Sequence, residues 1–561
     1  MIRMSILLFF LLSLGLSVSS QNRDDLFDIT ILHMNDFHAR FEETNDEGGS
    51  CKSEQCIGGF SRVYDVVTEA LSEYPDSILL NGGDNFQGTL WYNIFKWNVT
   101  QYFLNKLPFD AIVLGNHEFD DGIHGVVPFI KNLKAPVIVS NIDDSLEPDI
   151  QNIYKKSVVV ERQGKKIGII GVIIKTADEI SNTEKLKFYD ESESVNAEAE
   201  RLVNEENVFT NIVLSHSGYD TEQEIAKKAT AASKIGLVVG AHSHTFLYTG
   251  EPAPGPATPA GPYPTIIQRD DDGKTVLVVQ ASCYSRYLGN ITISYDSSGD
   301  CVEWSGEPIF LDTDTPQDDT INQELQPWKD EVDAVGNRVI GSTLVTLDES
   351  MCRYSECLLG NFVADVMVYS YIELADNSSW TYAALAVYNT GGLRTTIEKG
   401  DITYNDMITA QPFGNTWDVG EIEGQYIKEM FEFMMTPYSY GRAYADVNLL
   451  QISGFKIVAN LTQPMGSRVQ SVKVRCNECK LPVYEDLDVN KTYRLIVPSF
   501  LEDGGDGFVI IRDNLKNIQP GRLDIDVFVE YLQLKSPVYE EIEGRIEFVG
   551  ETQVFYRNIN G

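Results

Sequence analysis

The sequence predicts two layered domains of mixed α and β structure, α/β or α+β in class, joined by a helix. Three observations carry this. At 561 residues the chain is too long for one core. From about residue 26 to 312, short apolar runs alternate with helical stretches such as 59–71. The polar break Asp312-Thr-Asp-Thr-Pro-Gln-Asp-Asp319 ends that pattern, and the segment 321–335 follows with Leu325, Trp328, Val332 and Val335 on one helical stripe. The boundaries read as a leader over 1–20, a first domain over 26–315, a connecting helix within 316–339 and a second domain over 340–550.

The leader has the form of a secretory signal. Arg3 supplies the positive end, Ile6 to Leu16 the apolar segment, and Ser17-Val-Ser-Ser20 the small residues of a cleavage zone, so the mature chain would begin near Gln21. The apolar segment is too short to span a bilayer. No other stretch is long enough, and Phe555–Gly561 lacks the hydrophobic tail of a lipid-anchor signal. The expectation is a secreted, extracellular protein without a membrane anchor. Sequons at Asn98, Asn290, Asn377, Asn460 and Asn490 agree with it. Eight cysteines in such a chain should pair, and their order suggests Cys51 with Cys56, Cys352 with Cys357, Cys476 with Cys479 and, by what is left, Cys283 with Cys301. A formal charge of −39 excludes nucleic acid and acidic membranes as partners. It also disfavours any anionic substrate unless metals or an arginine cluster reverse the field locally.

Within the first domain the strands share one feature. Residues 111–114 form a buried run that stops at Gly115 and presents Asn116, His117, Glu118 and Asp120. Alone, that stretch reads equally as a helix start capped by Asn116 or Asp120. Four other runs end the same way: 29–34 into Asn35-Asp36-Phe37-His38, 77–80 into Asn81-Gly-Gly-Asp84, 211–214 into Ser215-His216, and 235–239 into Gly240-Ala-His242-Ser-His244. Five of the seven histidines lie in these loops, leaving His33 for the core and His124 for the surface. Ligands of open α/β sheets sit outside the carboxyl ends of the strands. Two metal ions in one site need a shared ligand, and Asp84 is the natural bridge. Asp36, His38 and His244 could complete one ion; Asn116, His216 and His242 could complete the second. Such a donor set suits zinc, manganese or a similar divalent ion and suits calcium poorly. Paired metals clamp a phosphoryl displacement. His117 is then left to stabilise the phosphoryl group or protonate the leaving oxygen, with Asp120 fixing its tautomer.

These motifs in this order (36–38, 82–85, 115–120, 215–216 and 240–244) resemble those of the calcineurin-like metallophosphatases, and in particular the 5′-nucleotidase family, which includes ecto-5′-nucleotidases, UDP-sugar hydrolases and the secreted salivary apyrases of blood-feeding arthropods. The resemblance spans about 28–547. It implies a four-layer metal-bearing sandwich domain followed by a nucleotide-binding domain, with a hinged active site between them. It also implies roles in the second domain: Phe413 and Phe500 stacking on a base, Asp506 on the ribose hydroxyls, Asn389 on the base, and Arg353 and Arg394, with Arg40 from the first domain, on phosphates. Stacking gains about 1–3 kcal/mol per ring, and arginine suits bidentate phosphate contact. The family often has Gly where Thr390 stands and Arg where Ser355 stands, and both differences bear on substrate preference.

The reading is a secreted apyrase using two divalent metal ions, zinc first, to hydrolyse extracellular ATP and ADP and so blunt platelet aggregation. The alternative within the class is an AMP-directed 5′-nucleotidase. From another class comes a non-enzymatic antagonist of platelet integrins, for which Lys399-Gly400-Asp401 would be the motif. A tripeptide carries little information, and Gly-Asp before a strand is ordinary turn chemistry.

Overall fold

A computed structural model describes residues 26–46, 48–51, 55–375, 379–436 and 448–550. The leader, Asn377 and the segment 555–561 lie outside them.

Two sheets build the first domain. In one, the strands Phe27–Met34, Ile78–Asn81, Ala111–Val113 and Val137–Ile138 run parallel in that order, and Tyr287–Tyr295 pairs antiparallel with the first of them. In the other, Lys165–Ile173, Thr210–His216, Ile235–Val239 and Thr275–Val279 run parallel, flanked by antiparallel edge strands. Side-chain alternation decides the layering. Ile29, Ile31, Ile78, Leu80, Ala111 and Val113 face the second sheet and join Ile169, Ile212, Leu214 and Val238 in one core. Their neighbours Leu32, Leu79 and Ile112 point outward onto Phe60, Val63, Phe103 and Phe129 of the covering helices. Val195, Ala199 and Ile225 close the far side. Helix, sheet, sheet and helix thus make four layers. All five ligand-bearing runs end at the same edge, because their strands are parallel within each sheet.

The helix Asp319–Gly336 follows the polar break and starts on Asp318, whose carboxylate accepts the Ile321 amide N–H at 2.8 Å. Leu325 and Val332 are buried as expected, while Val335 is exposed. Ile321, Leu325 and Val332 belong to an apolar cluster that continues into Phe362, Val363 and Phe528, so this helix ties the two domains through one core. The second domain holds a mixed five-stranded sheet, ordered Leu450–Ser453, Leu385–Asn389, Thr492–Pro498, Trp417–Glu423 and Lys516–Gln519. Leu358–Tyr369 and Asp524–Lys535 cover one face, Gly424–Met434 and Val509–Asn514 the other. A separate four-stranded sheet packs beside it.

Three of the four expected disulfides form, at Cys51–Cys56, Cys352–Cys357 and Cys476–Cys479. The fourth does not: Cys283 and Cys301 are both free and buried. Cys301 pairs across from Tyr295, whereas Cys283 precedes Tyr287 at the opposite end of the same strand. Eight steps at ~3.4 Å per residue separate the two ends, far beyond the Cα separation of about 7 Å that a disulfide tolerates. Among the described residues no helix is long and apolar enough to cross a membrane.

Candidate active site

The strand-end loops converge on one buried cluster. Asp36, His38 and His244 form one set of facing donor atoms, and Asp84, His216 and His242 form another. Asp84 stands between them, its Oδ2 3.1 Å from His216 Nε2 and 3.8 Å from His38 Nε2. His38 Nε2 lies 3.0 Å from His244 Nε2, which is 3.6 Å from Asp36 Oδ1. His242 Nδ1 meets Asn116 Oδ1 at 2.9 Å, and its backbone N–H donates to both oxygens of Asp36. Asp36, His38, Asp84, His242 and His244 all have positive φ, between 49° and 73°. Five non-glycine residues in the left-handed region mark stored backbone strain, at a cost of about 1–3 kcal/mol each that the surrounding core must outweigh.

The donors fit divalent cations. His216 and His242 are buried, and each brings a ring nitrogen into one donor set with Asp84. Burial lowers the pKa of His38 and His244 well below the ordinary value and that of His242 to about 3, leaving neutral rings with lone pairs to give. Burial pulls His216 down as well, but Asp84 outweighs it and raises the pKa to about 10.

His117 sits beside this cluster. Its backbone N–H donates to Asp84 Oδ1 at 2.9 Å, and Nδ1 meets Asp120 Oδ2 at 2.8 Å. Burial opposes its charge, yet Asp120 and Asp84 prevail and its pKa is raised. A short 3₁₀ turn, Asn116–Phe119, does begin here, but Gly115 takes its N-cap position, and Asp120 stands at the other end as the C-cap. Glu118 takes the Gly115 N–H.

The cluster floors a cavity of about 1040 Å³ between the domains. Arg353, Asn389, Arg394, Phe413, Phe500 and Asp506 all line it. Arg394 Nη2 approaches His38 Nε2 at 3.3 Å, and its guanidinium carbon lies 5.8 Å from the Phe413 ring. Phe413 is 5.7 Å from His117, centroid to centroid. Asn389 Nδ2 donates to Asp506 Oδ2 at 2.9 Å. Phe500 rests against Gly505, where an added Cβ would fall 2.4 Å from the ring. The second domain therefore lies over the donor loops, with Asn93 Nδ2 also reaching the Pro412 carbonyl at 3.4 Å.

Arg40 departs from its expected place. It does not line the cavity and is 2% exposed. Nε donates to the Gly48 carbonyl, and Nη1 to those of His38 and Gly88, at 2.6–2.9 Å. The positive φ of His38 and Ala39 turns the chain so that Arg40 points inward, where it clamps the loop that carries His38. Sequence spacing alone does not show that turn. Lys399–Asp401 lies exposed at the start of the strand Gly400–Thr403, away from the cavity lining.

Two supporting carboxylates were given no role by the sequence: Glu118, named only among the polar groups after Gly115, and Glu222. Glu118 accepts the amide N–H groups of Gly115, Asp84 and Asn85 at 2.5, 3.0 and 2.6 Å, so one carboxylate ties two ligand loops together. Glu222 accepts from the Ala241 N–H and from Gln280, bracing the loop of His242. A Glu118→Gln variant is expected to lose about 10–100-fold in metal affinity, the usual cost of removing such a support. Metal titration of the purified variant measures it, and unchanged affinity would reduce Glu118 to a fold residue.

A helix–sheet–sheet–helix sandwich with Asp, His and Asn donors at its strand ends is the architecture of the calcineurin-like metallophosphatases, a fold that implies divalent metal ions. Residues 29–246 match the calcineurin-like phosphoesterase model, and residues 339–513 match that of the 5′-nucleotidase C-terminal domain. The chain is 45% identical over 525 residues to an apyrase of Tabanus yao, covering 93% of this chain and 94% of that protein. It is 36% identical to the 5′-nucleotidase of Mus musculus, over 93% and 91%. Among solved structures, the 5′-nucleotidase precursor of Thermus thermophilus superposes with a TM-score of 0.85 at 31% identity, over 94% of this chain and 100% of that one. The chain belongs to the 5′-nucleotidase family. It is a metal-dependent nucleotide phosphohydrolase.

Proposed function

We propose that the protein is a secreted apyrase that hydrolyses extracellular ATP and ADP to AMP and phosphate at a two-metal site, with AMP the poorer substrate. The observation that carries this reading is the 45% identity to an apyrase across nearly the whole chain. The mouse 5′-nucleotidase, at 36% identity over nearly the whole chain, keeps AMP hydrolysis as the second reading. Inhibition of platelet aggregation would follow from the loss of ADP. The exposure of Lys399, Gly400 and Asp401 leaves an integrin contact open to test but adds nothing specific in its favour.

In this reading Asp36, His38, Asp84, Asn116, His216, His242 and His244 would hold two divalent ions, whose chemistry when bound would be Lewis-acid polarisation of the terminal phosphoryl group and a lowered pKa of water. His117, oriented by Asp120, stabilises charge on the transferred group or protonates the leaving oxygen. Arg394 and Arg353 hold the phosphates, Asp506 the ribose, and Phe413 and Phe500 the base. Phosphate release from ATP, ADP, AMP and UDP-glucose, measured side by side with and without a chelator, tests the assignment. Rapid AMP cleavage beside inert ADP would replace it with the 5′-nucleotidase reading.

The base pocket has its own test. Phe413→Ala or Phe500→Ala is expected to raise the KM for nucleotides about tenfold, one stack's worth. A small phosphate ester without a base should lose far less. Equal losses on both would make these rings packing residues.

A further inference from the structure

We propose that Arg286 is a further phosphate-binding residue of the active site, contacting the phosphate chain behind the terminal group and favouring nucleotides with more than one phosphate. The inference rests on the apyrase reading above and deepens it.

Arg286 lines the cavity and is half-buried. Its guanidinium is held by uncharged acceptors. Nε donates to the Cys283 carbonyl at 3.4 Å and Nη1 to the Asp46 carbonyl at 2.7 Å. Nη2 reaches Ser282 Oγ at 3.3 Å and Cys283 Sγ at 3.2 Å. Among the described residues no carboxylate lies within ion-pairing distance of it, whereas Arg62, Arg162, Arg201, Arg269, Arg512, Arg522 and Arg545 each have one. In a chain of formal charge −39, an arginine that faces the cavity without an ion pair offers its charge to an anion there. An arginine fixed in position but not neutralised is preorganised for an anion, because little of its rotamer freedom remains to be lost on binding.

Its placement matches a phosphate chain. One ring, Tyr284, separates it from the metal cluster: the guanidinium carbon is 5.5 Å from that ring, which lies 5.3 Å from His244 and 5.6 Å from His38. The connecting turn is strained and anchored. Ser282, Tyr284 and Ser285 all have φ between 55° and 63°. The Tyr284 N–H donates to the Asp36 carbonyl at 2.8 Å, and Asn35 Nδ2 donates to the Ser282 carbonyl at 2.5 Å. The loop that carries Asp36 therefore also sets the position of Arg286. Strain of this kind persists where the surroundings over-determine it and clusters at ligand sites.

Arg286→Ala and Arg286→Lys are compared with the parent protein on ATP, ADP and an aryl phosphate with a single phosphoryl group. Arg286→Ala is expected to raise the KM for ATP and ADP about tenfold, the cost of one charge-assisted contact, and that for the aryl phosphate by less than about threefold. Arg286→Lys, which keeps the charge and loses the fork, should recover part of the loss. Equal losses on all three substrates, or none on any, would overturn the proposal and leave Arg286 as a brace for its turn. If Arg286→Ala does not fold, the same KM comparison on Arg286→Lys decides, since loss of the fork alone should still weigh more on ADP than on the aryl phosphate. A parent protein that cleaves AMP and ignores ADP would instead bring down the apyrase reading itself.

Discussion

Replacing Asp84 by Ala is expected to abolish phosphate release and empty the metal site in a protein that still folds. Asp84 belongs to the donor set of His216 and His242 and also reaches His38 of the other set, 3.8 Å away. Its second oxygen accepts the backbone N–H of His117, so one side chain also positions the residue proposed for charge stabilisation. Deleting it removes the bridging charge from both sets at once. The loss in kcat/KM should exceed about 10³-fold, more than removing a single oxyanion-stabilising donor costs. Glu118 continues to tie the loop backbone to Gly115, which is why the fold should survive. Asp84→Asn, which keeps the shape and the acceptor while losing the charge, should retain some metal at high concentration. Metal analysis and thermal unfolding on the same samples check the expectation. Full metal content in the Ala variant would mean that the bridge lies elsewhere.

The first domain was legible because its chemistry is local. Each candidate ligand directly follows an apolar strand, and parallel strands bring such positions to one edge whatever the connections between them. What the sequence could not give was direction. Arg40, two residues past His38, looks like a cavity cation until positive φ at His38 and Ala39 turns it inward. Cys283 and Cys301 looked like the remaining pair until the strand Tyr287–Tyr295 set them at opposite ends. Glu118, visible only as one of the polar groups after Gly115, and Glu222 offered no sign of their role, since a carboxylate that accepts backbone amides needs no particular spacing from what it supports. In the second domain the residues proposed for base, ribose and phosphate lie up to 153 positions apart, from Arg353 to Asp506, on loops without a shared local pattern. Only the family resemblance gathered them, and the fold places them around one cavity.

His117→Ala is expected to lower kcat by about 10²–10⁴-fold while leaving the metal content near that of the parent protein. The geometry makes this a real test, because His117 also falls in a donor set with His38 and Asp84 and so has a rival reading as a ligand. A ligand histidine commonly passes its other N–H to a carboxylate, as His117 does to Asp120, so that pairing cannot separate the two roles. The neighbours favour the charged role. Arg394 approaches His38 and Phe413 faces His117, so the ring borders the space where the second domain closes over the cluster. Asp36, His38, Asp84, Asn116, His216, His242 and His244 already provide seven side chains for two ions, enough without His117. Asp120→Asn should then cost less than His117→Ala, since the ring remains and only its orientation and charge are weakened. A metal-depleted His117→Ala protein would overturn the assignment and make His117 a ligand. Intact metal with a 10²-fold or greater fall in kcat on both nucleotides and a small phosphate ester would place it on the transferred phosphoryl group, the one part those substrates share.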